Sequence, residues 1–400
     1  MSKTINFLLY NPNFINGAGA TTRILSIIIH LQRKYKINVY VFLTFNRIFK
    51  LLFNPNFKYS FYKALKTKKV YFMFVFAPLF DFRRIDIMLI KFYNCFFKVR
   101  NSIIQCETEV PAFLAEGFKD FNNKIVLDKH GLIFEETKYK LIESNEKNYK
   151  RLRQIKEVEL ISHKNSDLII CVSDVFKKVL KDEYGYLKKI IVLPMLISHQ
   201  YHFFDRLARH NLRKQLGVNG KTVVVYSGSM SKYQRFNEMV DFFHNFHKIN
   251  SNSFFLILSQ MQYHSDIEKI LTSKGVLKKN YYLCQVSHNE VNSYLSCSDI
   301  GLLFREDITL NNVASPTKFL EYLATGIYPI ISSNIGDTEK IVNELDYGFI
   351  IKDLNFYGDI DQITSDYNNK KSRRIQVSLL TRIKYNWHKS LKKIEKIYER

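Results

Sequence analysis

Ala314-Ser-Pro-Thr-Lys-Phe-Leu-Glu-Tyr-Leu-Ala-Thr-Gly326, followed by Ile327-Tyr-Pro-Ile-Ile-Ser332, is the stretch on which the reading of this chain turns. Ser315 reads as a helix N-cap and Pro316 as the first helical residue. Gly326 reads as the C-terminal stop. Phe319, Leu320 and Leu323 fall on one face and point toward a core. Lys318 and Glu321 share another edge, one turn apart. Such a helix offers free backbone N–H groups, a cation and a carboxylate. A phosphate is bound by the first two, and ribose hydroxyls donate to the third. Together they suit a nucleotide diphosphate. On an arbitrary helix the same two charges are an exposed ion pair of small energetic weight, so the surrounding sequence has to decide.

Working outward, the helix lies between two apolar runs, Ile300 to Phe304 and Tyr328 to Ser332. Thr222 to Ser227, Phe254 to Ser259 and Tyr281 to Cys284 precede them as further strands. A separate series opens the chain: Ile5 to Tyr10, Ile37 to Leu43, Lys69 to Phe76, Ser102 to Gln105, Lys124 to Asp128, Leu168 to Val172 and Ile190 to Leu193. Helical spacing fills the intervals, as in Thr21 to Tyr35, Tyr149 to Lys164 and Asp174 to Lys181. The pattern loosens over Pro194 to Arg213, the expected hinge. Alternating strand and helix in both halves implies two parallel-sheet α/β domains, with ligands at the C-terminal ends of the strands. A basic helix around Trp387 is expected from about Lys371 to Arg400.

The bulk numbers agree with a chain of two or three domains, most simply two. Of 400 residues, 46% are hydrophobic, enough for two sizeable cores. Sixty Lys and Arg against 37 Asp and Glu give a formal net charge of +23, which points to an anionic partner. Cys95, Cys106, Cys171, Cys284 and Cys297 form no C-x-x-C pair, so neither a disulfide framework nor a zinc site is expected, and a reducing cytosol fits. No cleavable signal peptide is read at the N-terminus. The longest apolar run, Tyr71 to Phe80, is about half of what a spanning helix needs. The chain reads as cytoplasmic and soluble or peripheral.

Several motifs, taken in order, resemble one family. They are Asn16-Gly-Ala-Gly19, Asp128-Lys-His-Gly131, Asp167-Leu-Ile-Ile-Cys-Val-Ser173 with Lys177, Val192-Leu-Pro194, Val225-Tyr-Ser-Gly-Ser229 with Tyr233-Gln234, Ser298-Asp-Ile-Gly-Leu-Leu303, and the helix quoted first. Trp387 falls where the family often carries an aromatic near its final helix. In this series the chain resembles the retaining GT-B glycosyltransferases of the family 4 type, which build bacterial surface polysaccharides. The resemblance implies two Rossmann-like domains facing across a cleft. It implies an acceptor-binding domain over 1–195, a donor-binding domain over 196–380 and a terminal helix, 381–400, packing back on the first. Donor contacts are then expected at Gly228, Ser229, Lys232, Arg235, Arg305, Ser315, Pro316, Thr317, Lys318 and Glu321. The family usually has a second glutamate before Glu321, and Val313 stands there instead. It also often has Arg and Lys where this chain has Ser229 and Gln234, leaving Lys232 or Arg235 to supply the charge.

Retaining transfer needs the leaving diphosphate stabilised as the C1–O bond breaks, a role for Lys318 and the helix N-terminus. His130 follows a strand and precedes Gly131, so its imidazole faces the expected ligand side; a structural histidine that fixes a loop is the other reading. Gly17 and Gly19, with Asn16, read as an acceptor or phosphate loop. No resident cofactor is expected, the UDP- or GDP-linked donor sugar being the substrate. No metal is expected either: Asp359-Ile-Asp361 reads as a solvated helix start, and His199 and His202 lack partners of metal-site spacing. Phe45 to Arg100 sets a dozen Lys and Arg among many Phe and Tyr, with only Asp81 and Asp86 as acids. Such a region suits an anionic membrane surface, and a lipid-linked or glycan acceptor would be met there, at the inner face of the cytoplasmic membrane. A solvated basic face over an ordinary core is the plainer reading. An inactive GT-B assembly partner, a nucleotide-sugar epimerase and a nucleic-acid-binding protein also stay open, although no nucleic-acid signature is present.

Overall fold

The structure is a computed structural model that describes residues 4–12, 19–54, 59, 62–63, 65, 69–76, 83–141, 145–197, 201–287, 289–352 and 359–399. It divides into two compact units. The first is Met1–Pro194 with Ser390–Arg400, and the second is Met195–Lys389.

The first unit is built on seven strands: β1 Thr4–Tyr10, β2 Lys36–Leu43, β3 Val70–Phe74, β4 Ile103–Glu107, β5 Lys124–Lys129, β6 Leu168–Cys171 and β7 Lys189–Val192. They form one sheet in the order β3-β2-β1-β4-β5-β6-β7, parallel at every pairing. The second unit holds β8 Thr222–Ser227, β9 Ser253–Leu258, β10 Tyr281–Cys284, β11 Ile300–Leu303, β12 Tyr328–Ser332 and β13 Phe349–Ile351. Their order is β10-β9-β8-β11-β12-β13, again all parallel. Parallel strands covered on both faces need apolar residues at successive positions. β9 shows this plainly, being buried at all six residues of Ser-Phe-Phe-Leu-Ile-Leu. Phe236, Phe242, Phe243 and Phe246, from the helix Phe236–Ile249, are buried against that sheet.

Both sheets reverse direction once. In the first unit, chain progression runs from β1 out to β3, then returns to β4 on the other side of β1. In the second it runs from β8 to β10, then returns to β11 beside β8. Beside such a switch, two successive loops diverge and leave a crevice at the strand ends. Each unit therefore has one topologically favoured ligand site, between the ends of β1 and β4 and between those of β8 and β11.

The helix Thr317–Ala324 joins β11 to β12 and packs inward through fully or nearly fully buried Phe319, Leu320 and Leu323. Burying each such side chain contributes about 1.5–3 kcal/mol. Tyr322 is also buried, and its ring lies over Gly301 of β11, where a Cβ would come within 2.6 Å of it. The Tyr322 hydroxyl accepts from the Ser227 N–H at 3.1 Å, tying the helix to the end of β8. Gly326 closes the helix at φ +69. The Ile327 and Gly326 N–H groups reach back to the Tyr322 and Leu323 carbonyls, a glycine-terminated C-cap.

Three expectations change. The helix starts at Thr317, with Pro316 extended in the cap position at φ −71, ψ 120. Ser315 is not its cap, because the Ser315 hydroxyl accepts the Met195 N–H at 3.1 Å instead. The edge strand β13 escaped the sequence reading. The tail is two helices, Arg374–Lys384 and Trp387–Glu399. They are interrupted where the Tyr385 carbonyl accepts the Ile197 N–H and Asn386 bridges Ile197. The Asn386 carboxamide then caps the last helix by accepting the Lys389 N–H at 2.9 Å. That helix joins the first unit through His30 to Glu395 at 2.8 Å, and through Lys34–Glu399 and Tyr398–Gln105 contacts.

Candidate functional site

At the end of β8 the chain turns through Gly228, whose N–H donates to the Leu258 carbonyl at 3.0 Å. A Cβ on Gly228 would lie 2.3 Å from Lys318 Nζ and 2.8 Å from the Tyr226 hydroxyl. Only the absence of a side chain lets the ammonium approach this backbone. Lys318 Nζ donates to Gln234 Oε1 at 2.7 Å and lies 4.9 Å from the centre of the Tyr226 ring. The Tyr226 hydroxyl donates to the same Gln234 oxygen at 2.8 Å, while Gln234 Nε2 donates to Ser229 Oγ at 2.7 Å. Gln234 thus holds Lys318 through a neutral carbonyl.

Arg305 follows β11, across the switch from β8. Its Nη1 donates to Asn311 Oδ1 at 2.9 Å, and its guanidinium lies 5.4 Å from the Tyr233 ring centre. Arg305 Nε is buried without a hydrogen-bond partner among the described residues. Burial, then the Arg305 charge, depress the Lys318 ammonium to about 7, and Glu321 only partly restores it. Glu321 Oε1 stands 3.6 Å from His202 Nε2. Two cations with little local counter-charge, beside the N-terminus of an eight-residue helix, make a site that favours an anion.

Of the residues named from sequence, Gly228, Lys318 and Arg305 line this crevice, Ser229 stands one hydrogen bond behind it, and Thr317 opens the helix. Lys232 is exposed, and Arg235 is paired with Glu238 at 2.8 Å, which leaves Lys318 and Arg305 as the candidate anion-binding cations among the described residues named from sequence. Val313 is fully buried. Asp361 lies in the first turn of the helix Ile360–Lys370, as read. Asn16, Gly17 and His199 lie outside the described residues; Gly19 opens the helix Gly19–Leu31.

The first unit carries a second constellation. Asp128, in β5, is held by both nitrogens of a fully buried Arg23, at 2.9 and 2.8 Å. Arg23 Nη1 also donates to the Leu193 and Pro194 carbonyls. His130 Nε2 lies 3.5 Å from both Glu107 Oε2 and Asp128 Oδ2. Neither ring nitrogen of His130, nor Glu107 Oε2, has a hydrogen-bond partner among the described residues. Burial alone would depress the imidazole, but the Asp128 charge and the close Asp128 and Glu107 carboxylates raise it to about 9. Glu107 is raised by burial and by Asp128. Asp128 stays well below the usual carboxylate range because Arg23 and His130 outweigh its burial. Thr108, directly after Glu107, sits at φ 76, ψ 179, a conformation that costs a β-branched residue about 1–3 kcal/mol.

Arg23 and Glu107 were not named from sequence, and Gln234 was named only as the residue standing where the resemblance expects a cation. Asp128 was quoted in a motif without a role. A carboxylate at the end of a strand beside the switch was the available signal for Glu107.

Residues 208–376 match the family model of the glycosyl transferases group 1. A chitobiosyldiphosphodolichol beta-mannosyltransferase of Candida albicans is 21% identical over 238 residues, 57% of this chain and 50% of that protein. The chain therefore spans about half the length of the curated relative it matches. HepE of Anabaena, solved in complex with UDP, superposes with a TM-score of 0.72 at 12% identity over 98% of this chain and 99% of that one. WaaG, a glycosyltransferase involved in lipopolysaccharide biosynthesis, gives 0.64 at 12% identity over 98% and 99%. Residues 208–376 are thus similar to the glycosyl transferases group 1, and the two all-parallel α/β units have the GT-B fold of the solved structures.

Proposed function

We propose that this protein is a retaining, metal-independent glycosyltransferase. It moves a sugar from a UDP- or GDP-linked donor to a glycan or lipid-linked acceptor in surface polysaccharide synthesis. The observation that carries the reading is the pair of cations, Lys318 and Arg305, at the β8/β11 switch with a helix N-terminus beside them. A donor diphosphate supplies the negative charge that this crevice lacks. Its charge grows as the C1–O bond breaks, so contacts made by Lys318 strengthen toward the transition state. Glu321 accepts ribose hydroxyls one turn along the same helix. With the acceptor attacking from the side the diphosphate leaves, no protein nucleophile is needed. The complex of HepE with UDP and the dolichol diphosphate in the name of the Candida relative support a nucleotide donor and a lipid-linked acceptor.

A thermal-shift screen with UDP, GDP, ADP and CMP tests this. A nucleoside diphosphate should raise the melting temperature, and Glu321→Ala should abolish the rise. No response to any nucleotide would sink the reading.

A membrane surface is favoured by one further observation. The helix Phe45–Phe53 buries no residue, and Phe45, Phe49, Leu52 and Phe53 are 45–77% exposed. The three phenylalanines contact one another in line along the helix, at 4.7 and 5.8 Å. Arg47 and Lys50 accompany them, with no acid in the helix. An apolar ladder beside cations suits anionic lipid. Vesicles of phosphatidylglycerol should pellet the protein, and Phe49→Ser with Phe53→Ser should release it; equal pelleting with neutral phosphatidylcholine would count against docking.

A further inference from the structure

We infer that the turn Lys232–Gln234 is a charge-sparing cradle for the two cations of the second unit's crevice. Gln234 positions Lys318 and Tyr233 positions Arg305, both through neutral groups, so that a bound diphosphate is what discharges the pair; this rests on the diphosphate reading above. Gln234 is only 6% exposed, and both ends of its carboxamide are engaged. Its Oε1 meets Lys318 Nζ at 2.7 Å and the Tyr226 hydroxyl at 2.8 Å, and its Nε2 donates to Ser229 Oγ at 2.7 Å. The carboxamide cannot turn away from the lysine without giving up bonds at both ends.

The same turn serves the other cation. The Tyr233 ring centre lies 5.4 Å from the Arg305 guanidinium. The Tyr233 carbonyl accepts the Glu306 N–H at 2.9 Å, which ties the turn to the residue following Arg305. Adjacent side chains of one turn thus meet two cations that are 13 positions apart in the chain. Arg235 closes the turn in the left-handed region, at φ 49, ψ 45. Arginine has no preference for that conformation, so the surroundings impose it.

The chemistry of the cradle gives it a purpose. A carboxylate of the same size at position 234 would bond Lys318 and cancel its charge. The carboxamide holds the ammonium and leaves the charge in place. Burial acts first to lower the Lys318 pKa, Arg305 lowers it further, and Glu321 only partly restores it, leaving it at about 7. Arg305 Nε is buried with no hydrogen-bond partner among the described residues. Holding cations inside a protein this way is unfavourable by itself, and it is offset when an anion binds. A diphosphate spreads its charge over two phosphates and gains from both cations, and a monophosphate gains less.

Gln234→Glu and Gln234→Met test the assignment. Calorimetry at pH 6 measures binding of UDP, GDP, UMP and inorganic pyrophosphate. NMR of ¹³C-labelled lysine follows the Lys318 titration in the free protein, its signal identified by its absence in Lys318→Met. The introduced carboxylate should raise the Lys318 pKa, and loss of the acceptor should lower it. Despite these opposite shifts, both variants should bind the preferred nucleoside diphosphate at least about tenfold more weakly than wild type, and the loss for UMP should be smaller. A side chain that only supports the fold would not shift the lysine in opposite directions. Wild-type diphosphate affinity in Gln234→Glu would overturn the proposal. So would a Lys318 titration unchanged in both variants, or equal losses for all probes together with a lower melting temperature. If wild type binds none of the probes, the diphosphate reading fails separately. The lysine titration then decides alone: opposite shifts support the role of Gln234, and an unchanged titration overturns it.

Discussion

The second unit places Lys318 and Arg305 at its sheet's switch, held by the neutral carbonyls of Gln234 and Asn311. The first unit places Glu107, Asp128 and His130 beside its own switch, with Arg23 closing Asp128 into an ion pair. One fold thus presents two kinds of charge at its switches. The cationic crevice carries charge that its neutral partners do not balance. The acidic one is nearly charge-balanced, His130 and Arg23 standing against Glu107 and Asp128. The two parallel sheets share this switch, and their strand ends and loops present different side chains beside it.

The largest effect that would break the comparison is at Lys318. Lys318→Met should weaken nucleoside diphosphate binding about 100-fold, the loss of two charge-assisted hydrogen bonds at about 1.5 kcal/mol each. Titration calorimetry reads this directly, and a loss under threefold would remove Lys318 from the anion site. Next comes Gly228→Ala. Its Cβ would meet Lys318 Nζ at 2.3 Å, and displacing the ammonium should cost about tenfold in affinity, roughly 1.4 kcal/mol. Wild-type affinity there would mean that the crevice tolerates a shifted lysine.

Acidity sharpens the contrast. In the free protein the Lys318 pKa is lowered to about 7, so the ammonium loses its proton above that pH. A bound diphosphate favours the charged form and raises the pKa again. Binding should therefore take up a proton above about pH 7 and weaken as pH rises, by at most tenfold per unit. Calorimetry in two buffers of different ionisation enthalpy measures that uptake; proton release on binding would contradict it. The smallest effect is expected at Lys232, which is exposed. Lys232→Ala should leave diphosphate affinity within about twofold, and a larger change would extend the anion site beyond the crevice.

Much of this frame was legible in the chain because a parallel strand buried on both faces needs an unbroken apolar run. Thr222–Ser227 and Tyr328–Ser332 match their sequence reading at both ends. Phe349–Ile351 did not stand out, being three residues on a sheet edge. Lys318 and Glu321 were picked out as a pair because helical spacing is local. Their partners were not, since Gln234 lies 84 positions from Lys318 and only tertiary packing brings them together. Glu107 was missed for a local reason: the strand was ended at Gln105, two residues early, which left the carboxylate in a loop. Arg23 looked like an ordinary helix residue until Asp128, 105 positions away, explained its burial.

The central claim is that the β8/β11 switch binds a diphosphate through Lys318. Calorimetric titration of wild type and Lys318→Met, with the best nucleoside diphosphate from the thermal screen and with its parent nucleoside, tests it most directly. Wild type should bind the diphosphate far more tightly than the nucleoside, and Lys318→Met should erase most of that difference. Equal affinities of wild type for the two ligands, or a difference preserved in the variant, would contradict the claim.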